Sequence, residues 1–267
     1  MEKNLSDFEV FVFDLDGTLY LGENVLPGAH EIIDHLEKTG KKYIYLTNNS
    51  SRAAGDYVER LRNMGFPCRR ENVLSSGMAT GEYLMQNYSN SRVYPVGTAA
   101  FEAELASYGV NLVKEDADVV CVGFDTELNY EKLKNAVHFL RRGAYFIAAN
   151  PDWVCPMPND EVLPDCGSIC ALLTASTGKE PFYIGKPNRS MIDIVSKNTA
   201  VPNEKILCIG DRLYTDIAVG INASAGSALV LSGETTREML EASPIDPDFV
   251  FDSVLELLVY LKRKEGL

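Results

Sequence analysis

The sequence predicts an α/β fold built on a doubly wound, Rossmann-like parallel sheet, and two observations carry that reading. Strand-like and helix-like segments alternate almost throughout the 267 residues, as in chains whose parallel strands are joined by crossover helices. Several strand-like runs (VFVF, DVVCVGF, ILCIG, ALVL) are apolar at every position, which suits strands covered on both faces. A third feature bears on function. Polar residues cluster just past four strand ends, and ligands of such sheets bind beyond the carboxyl ends of the strands, where strand order reverses.

Taken in order, FEVFVFD reads as a strand, AHEIIDHLEKTG as a helix stopped by Gly40, and KYIYLTN as the next strand. SRAAGDYVERLRNMG is a helix whose last turn hands over to Gly65, a C-cap signal. NVLSS, RVYPVG, ADVVCVGFD and AYFIAAN follow as strands, separated by the helices GMATGEYLMQNY, AFEAELASYG and YEKLKNAVHFLRRG. Residues 150–167, rich in Pro, Asp, Asn and Gly, read as a loop before the helix SICALLTASTG and the strand PFYIGKP. The tail repeats the beat: KILCIGD, TDIAVGINASAG, SALVLSG, TTREMLEAS, DFVFDS and VLELLVYLKRK. There is no fixed-period repeat and no low-complexity segment.

Composition narrows the function classes. At 46% hydrophobic and 24% charged residues the chain is an ordinary globular one. Its net charge of −13, from 25 Lys and Arg against 38 Asp and Glu, argues against a nucleic-acid partner, whose phosphates would be repelled. A small phosphorylated ligand stays compatible if a local cation and backbone N–H groups overcome that field. No basic segment leads into a long apolar one and no run approaches a membrane span, so a cytoplasmic location with no membrane partner is expected. Six cysteines without a CxxC pair give no disulfide framework, and Cys121 and Cys208 fall in strand-like runs where free Cys acts as a small core hydrophobe. The three histidines, His30, His35 and His138, lie in helix-like segments and read as surface residues rather than zinc ligands.

Four strand ends hold the chemistry. Asp14 and Asp16 close the first strand, Thr47, Asn48 and Asn49 the second, Lys186 a later one, and Asp211 a fourth, with Asp216 five residues beyond. Two carboxylates one residue apart repel each other, and a cation between them and Asp211 removes the repulsion. Hard oxygens in excess suit Mg²⁺, which is usually held by one or two carboxylates, water and substrate phosphate. Taken alone, Asp211 would serve as a turn residue and Asp216 as a helix cap; Asp216 would reach the ion directly or through a water. Lys186 at this corner would neutralise the acids and grip phosphate as a point charge. Hydroxyl, amide and free N–H donors after Thr47 would make an anion cradle. Metal, cradle, lysine and spare carboxylate are the parts of a phosphoryl-transfer site. Asp14, at the rigid strand end, is the better placed nucleophile, and Asp16, where the chain leaves the sheet, the better acid and base.

DLDGT, LTNNS, IGKP and GDRLYTD resemble, in order and spacing, the four motifs of the haloacid dehalogenase superfamily of phosphotransferases. The DLDGTLYLG and TNNS forms and the long insert between the second and third motifs look like the NagD and p-nitrophenyl-phosphatase subfamily (class IIA, C2-type cap), and the likeness covers nearly the whole chain. It implies a Mg²⁺-dependent phosphatase working through an aspartyl phosphate on small phosphomonoesters such as nucleoside monophosphates, sugar phosphates or p-nitrophenyl phosphate. The roles implied are Asp14 as nucleophile and metal ligand, and Asp16 as acid and base whose backbone carbonyl binds the metal. Thr47, Asn48 and Asn49 would bind phosphate, Lys186 would steady the transferring group, and Asp211 with Asp216 would complete the metal site. Gly17 would let the chain turn away from the sheet and Thr18 would tie the turn.

The same resemblance implies a discontinuous core, 1–79 and 182–267, interrupted by a smaller α/β cap at 80–181. That interval carries its own strand–helix alternation. Within it, residues 150–168 would form a specificity loop, with Asp152, Trp153, Cys155 and Cys166 as candidates to touch the leaving group. A homodimer through the cap is compatible with the subfamily. The rival readings are a phosphotransferase or mutase on the same scaffold, and a non-catalytic phospho-receiver or binding protein. Too few residues separate Asp16 from Thr47 for the cap position of most mutases, and receiver domains have neither DxDGT nor this length.

Overall fold

A computed structural model describes residues 3–157 and 161–266. The chain forms two compact units: Met1–Thr47, Val58–Leu74 and Lys186–Leu267 make the first, Asn48–Tyr57 and Ser75–Gly185 the second. The second unit thus holds the 80–181 interval and also a short stretch following the second strand.

The first unit is built on six strands in the order Phe249–Phe251, Gly226–Val230, Ile206–Gly210, Val10–Phe13, Lys42–Thr47, Val73–Ser75. The pairings of Val10–Phe13 with both neighbours, and those outward to Phe249–Phe251, are parallel. Chain direction across the sheet reverses between Val10–Phe13 and Ile206–Gly210, so the switch point falls between the strands that precede Asp14 and Asp211. The all-apolar run Val10–Phe13 is fully buried. Each of those side chains contributes on the order of 1.5–3 kcal/mol by leaving water, which fixes the strand ends that carry the carboxylates. Ala29–Thr39 packs as the first crossover helix and stops at Gly40, whose φ of +71° lets its N–H reach back to Glu37 and Leu36. His35 on that helix is not a surface residue: it is buried, with its Nε2 2.7 Å from Glu265 Oε2.

The second unit holds a four-stranded parallel sheet, Phe182–Tyr183, Tyr145–Ala148, Val119–Val122, Val93–Val96. Its core joins Val120, Val122, Phe146 and Ala148 to Cys166, Ile169, Cys170 and Leu173 of the helix Cys166–Thr177. The stretch expected to be plain loop contains an antiparallel pair, Val154–Pro156 with Val162–Pro164; Pro158, Asn159 and Asp160 of the expected specificity loop lie outside the described residues. Two further elements were not evident from the sequence. One is the helix Ser190–Thr199, and the other is the small hairpin of Tyr20–Leu21 and Asn24–Val25. All six cysteines are free. Among the described residues no helix is long and apolar enough to cross a membrane.

Candidate active site

Asp14 follows the central strand directly, its N–H donating to the Ile209 carbonyl at 2.8 Å, so backbone pairing with the neighbouring strand sets where its carboxylate starts. The chain then leaves the sheet. Gly17 donates to the Tyr20 carbonyl at 2.8 Å and Leu19 to the Leu15 carbonyl at 2.9 Å. Gly17 has a φ of +87°, and a Cβ there would collide with the Asp211 carboxylate, so the position needs glycine twice over. Thr18 does not tie this turn through its side chain: its buried hydroxyl has no hydrogen-bond partner among the described residues, and backbone bonds hold the turn instead. Asp16 is exposed.

Lys186 is the hub. Its ammonium, 3% exposed, donates to Asp14 Oδ1 at 2.5 Å and to Asp216 Oδ1 at 2.6 Å. Burial works against its charge, but Asp14 and Asp216 outweigh burial and hold the ammonium above the ordinary lysine range. Asp216 lies in a π-helical turn, Leu213–Ile217, that follows the strand Ile206–Gly210. Such wide turns recur at functional positions because they re-aim one side chain. Here the turn also lets Asp216 Oδ2 accept from the Arg212 N–H at 3.0 Å, so both of its carboxylate oxygens are engaged. A Cβ on Gly210 would overlap the Asp216 side chain.

Asp211 is 2% exposed. Its Oδ2 accepts from the Glu234 N–H at 2.6 Å, while its buried Oδ1 has no partner among the described residues. One ligand oxygen from each of Asp14, Asp211 and Asp216 lies within 4.8 Å of the others. Three carboxylates around one ammonium leave excess negative charge, and it registers in Asp14 and Asp211. Burial, reinforced by Asp216 and Asp211, raises the Asp14 carboxyl well above the usual range despite Lys186. Burial first and Asp216 second push Asp211 up to about 7, against the Glu234 N–H, Arg212 and Lys186. Hard oxygens, an orphaned buried Oδ1 and uncompensated charge fit a small divalent cation.

The expected residues divide between the units. Asp14, Asp16, Thr47, Lys186, Asp211 and Asp216 belong to the first, Asn48, Asn49, Asp152, Trp153, Cys155 and Cys166 to the second. Thr47 is buried at its strand end. The Asn48 side-chain amide donates to Asp152 Oδ1 at 3.3 Å, and its carbonyl accepts from Ser76 Oγ and from the Asn150 amide. Asn49 Oδ1 accepts from the Ser51 N–H at 3.0 Å and its hydroxyl at 2.7 Å, a local turn. Trp153 is 65% exposed and Cys155 partly so. Cys166 does not suit a leaving-group contact. As the first residue of its helix it is fully buried in the core of the second unit, with its thiol 3.4 Å from the Val122 carbonyl.

Sequence reasoning missed the segment that follows the strand Gly226–Val230. Besides the Glu234 N–H on Asp211 Oδ2, Thr235 N–H donates to the Asp211 carbonyl at 3.2 Å, and Ser232 Oγ to the Gly17 carbonyl at 2.8 Å. Arg212 Nε pairs with Glu234 Oε2 at 2.8 Å. The available signal was a fifth strand end carrying Ser-Gly-Glu-Thr, which breaks the apolar run ALVL.

Residues 11–111 match the model of the haloacid dehalogenase-like hydrolase family and residues 183–257 that of HAD-hydrolase-like proteins. The chain is 32% identical over 257 residues to the 5'-nucleotidase YutF of Bacillus subtilis, covering 96% of this chain and 100% of that one. It is 31% identical over 261 residues to the acid sugar phosphatase of Staphylococcus aureus, covering 97% and 100%. Among solved structures it is similar to the 4-nitrophenylphosphatase of Thermotoga maritima, with a TM-score of 0.93, 42% identity, and coverage of 96% and 98%.

Proposed function

Because the chain belongs to the haloacid dehalogenase-like hydrolases, in their NagD and p-nitrophenyl-phosphatase branch, we propose that it is a Mg²⁺-dependent phosphatase cleaving small phosphomonoesters through an aspartyl phosphate. The observation that carries this reading is the meeting of Asp14, Asp211 and Asp216 within 4.8 Å, with Lys186 on Asp14 at 2.5 Å. A nucleotidase and a sugar phosphatase among the relatives support nucleoside monophosphates and sugar phosphates as the substrate class.

Asp14, the Asp16 carbonyl, Asp211 and Asp216 would hold the ion. Once bound it would neutralise the carboxylates and the charge spread over the transferring phosphoryl group. Lys186 fixes the Asp14 carboxylate by one oxygen. An Asp14 oxygen attacks phosphorus as the bond to the leaving oxygen breaks, and Asp16, protonated at that moment, gives that oxygen its proton. Asp16 then takes a proton from the water that attacks the acyl phosphate. The bond from phosphorus to Asp14 breaks, releasing inorganic phosphate and restoring both acids. Thr47, Asn48 and Asn49 as phosphate contacts, and Asp152, Trp153 and Cys155 as leaving-group contacts, rest on the family resemblance. So do a cytoplasmic setting, a small phosphorylated metabolite as the partner, and a homodimer formed through the 80–181 unit.

A panel of phosphorylated metabolites and p-nitrophenyl phosphate, assayed with Mg²⁺ and with chelator, tests the proposal. Continuous phosphate release that stops on chelation is expected. A single stoichiometric labelling without turnover would instead indicate a receiver, transfer without phosphate release a mutase, and neither event a binding protein; each overturns the reading.

A further inference from the structure

Asp211 is held by a segment to which no role has been given. Its carboxylate presses against Gly233 so closely that a Cβ at that position would overlap Asp211 Cβ, Cγ and Oδ2. The next residue, Glu234, gives its N–H to Oδ2 at 2.6 Å, and Thr235 gives its own to the Asp211 carbonyl at 3.2 Å. Glu234 is itself anchored by Arg212 at 2.8 Å, and Ser232 is tied to Gly17 at 2.8 Å. One N–H and a missing side chain therefore meet the Asp211 carboxylate, a second N–H meets the Asp211 backbone carbonyl, and an ion pair anchors the residue that supplies the first, all within the first unit.

We propose that Ser232–Thr235, with Gly233 and the Arg212–Glu234 pair at its centre, is a positioning clamp that fixes Asp211 so that Oδ1 alone is presented to the divalent cation. With Oδ2 committed to a backbone donor, the rotamer of Asp211 is set, and the unpartnered buried Oδ1 is the atom left to coordinate. Gly233 is not required by its backbone, which lies outside the left-handed region, nor by burial, since it is exposed. Space for the Asp211 carboxylate is the remaining physical reason for glycine there. The inference rests on the proposed metal site and extends it to residues that never touch the ion.

The test is cation affinity, read by titration calorimetry with MgCl₂ and MnCl₂ on the metal-free full chain, beside the metal-free melting temperature. Gly233→Ala should weaken binding by about 10–100-fold, as loss of an outer-shell partner does, while the metal-free melting temperature stays near wild type. Glu234→Ala keeps the N–H but frees Arg212 and should weaken binding less; Glu234→Gln should recover part of that loss. Should Gly233→Ala fail to fold, the Glu234 pair of variants decides. Wild-type affinity in Gly233→Ala and Glu234→Ala, with wild type binding the cation and Asp211→Asn not, would overturn the clamp and leave the metal site intact. Absence of cation binding by the wild type, or undiminished binding by Asp211→Asn, would overturn the metal site itself.

Discussion

Lys186 and Asp14 meet at 2.5 Å across 172 positions of sequence, in a place where the lysine is only 3% exposed. The pair joins the third motif of the chain to the first, and the same ammonium holds Asp216 at 2.6 Å. Lys186 therefore ties together two carboxylates that sequence holds far apart.

Lys186→Met should remove turnover and destabilise the metal-free protein by about 3–5 kcal/mol, because Asp14 and the buried Asp216 lose the ammonium that both of them pair with. Mg²⁺ should restore part of that stability by substituting its charge. Urea denaturation with and without Mg²⁺ measures both effects, and an unchanged midpoint in the variant would show that the ion pair does not stabilise the fold.

Asp14→Asn should abolish turnover while leaving the circular dichroism spectrum unchanged, since the substitution is isosteric and the strand Val10–Phe13 is held by its own buried side chains. Residual activity above about a thousandth of wild type would count against Asp14 as nucleophile, because losing a nucleophile usually removes more.

Asp16 is exposed beside the turn. Asp16→Asn should slow both protonation of the leaving group and activation of water. With a good leaving group such as p-nitrophenolate, the second step suffers more, and a phosphorylated enzyme should accumulate. Intact-mass spectrometry after acid quench should show one added phosphoryl group; activity equal to wild type with no added mass would refute the role.

The metal-free protein should lose stability as pH rises from about 4 to 7. Asp211 binds its proton up to about 7 when folded, whereas an unfolded aspartate releases it near 3.9. In that window the folded chain holds more protons than the unfolded one, so deprotonation favours unfolding. The raised Asp14 carboxyl acts in the same direction, and Lys186, raised rather than lowered, keeps its charge throughout. A cation competes with those protons, so the gain in melting temperature on adding Mg²⁺ should be larger near pH 8 than near pH 5. A gain independent of pH would separate the cation from these carboxylates.

The sheet was legible because strands such as Val10–Phe13 and Ile206–Gly210 are apolar at every residue, a pattern that buried parallel strands impose. Asp14, Lys186 and Asp211 were legible because charged residues directly after such runs have few structural uses. Other features leave fainter traces. The helix Ser190–Thr199 has four buried apolar residues in ten and no strong stop signals. The strands Val154–Pro156 and Val162–Pro164 are three residues long and mostly exposed, so they impose no alternation. Cys166 was misplaced because a loop-flanking cysteine looks the same whether its thiol turns to solvent or, as here, to the Val122 carbonyl. The hold on Asp211 was faint for a different reason. Its direct donors are backbone N–H groups, which any residue type supplies, so its one trace is the Ser-Gly-Glu-Thr run at the fifth strand end.

The short stretch Asn48–Tyr57 keeps company with the inserted residues rather than with the strand that precedes it. Ser50 Oγ accepts from the Phe124 N–H, Thr98 donates to the Ser51 carbonyl, and Glu104 accepts from the Ala54 N–H, each at 2.8 Å. Cutting out 75–185 would strip those groups bare together with the Asn48 carbonyl. Swapping inserts between relatives should therefore transplant 48–57 along with the donor's insert, because a recipient loop left behind would keep its local turn but lose the partners that the insert gives to Asn48, Ser50, Ser51 and Ala54.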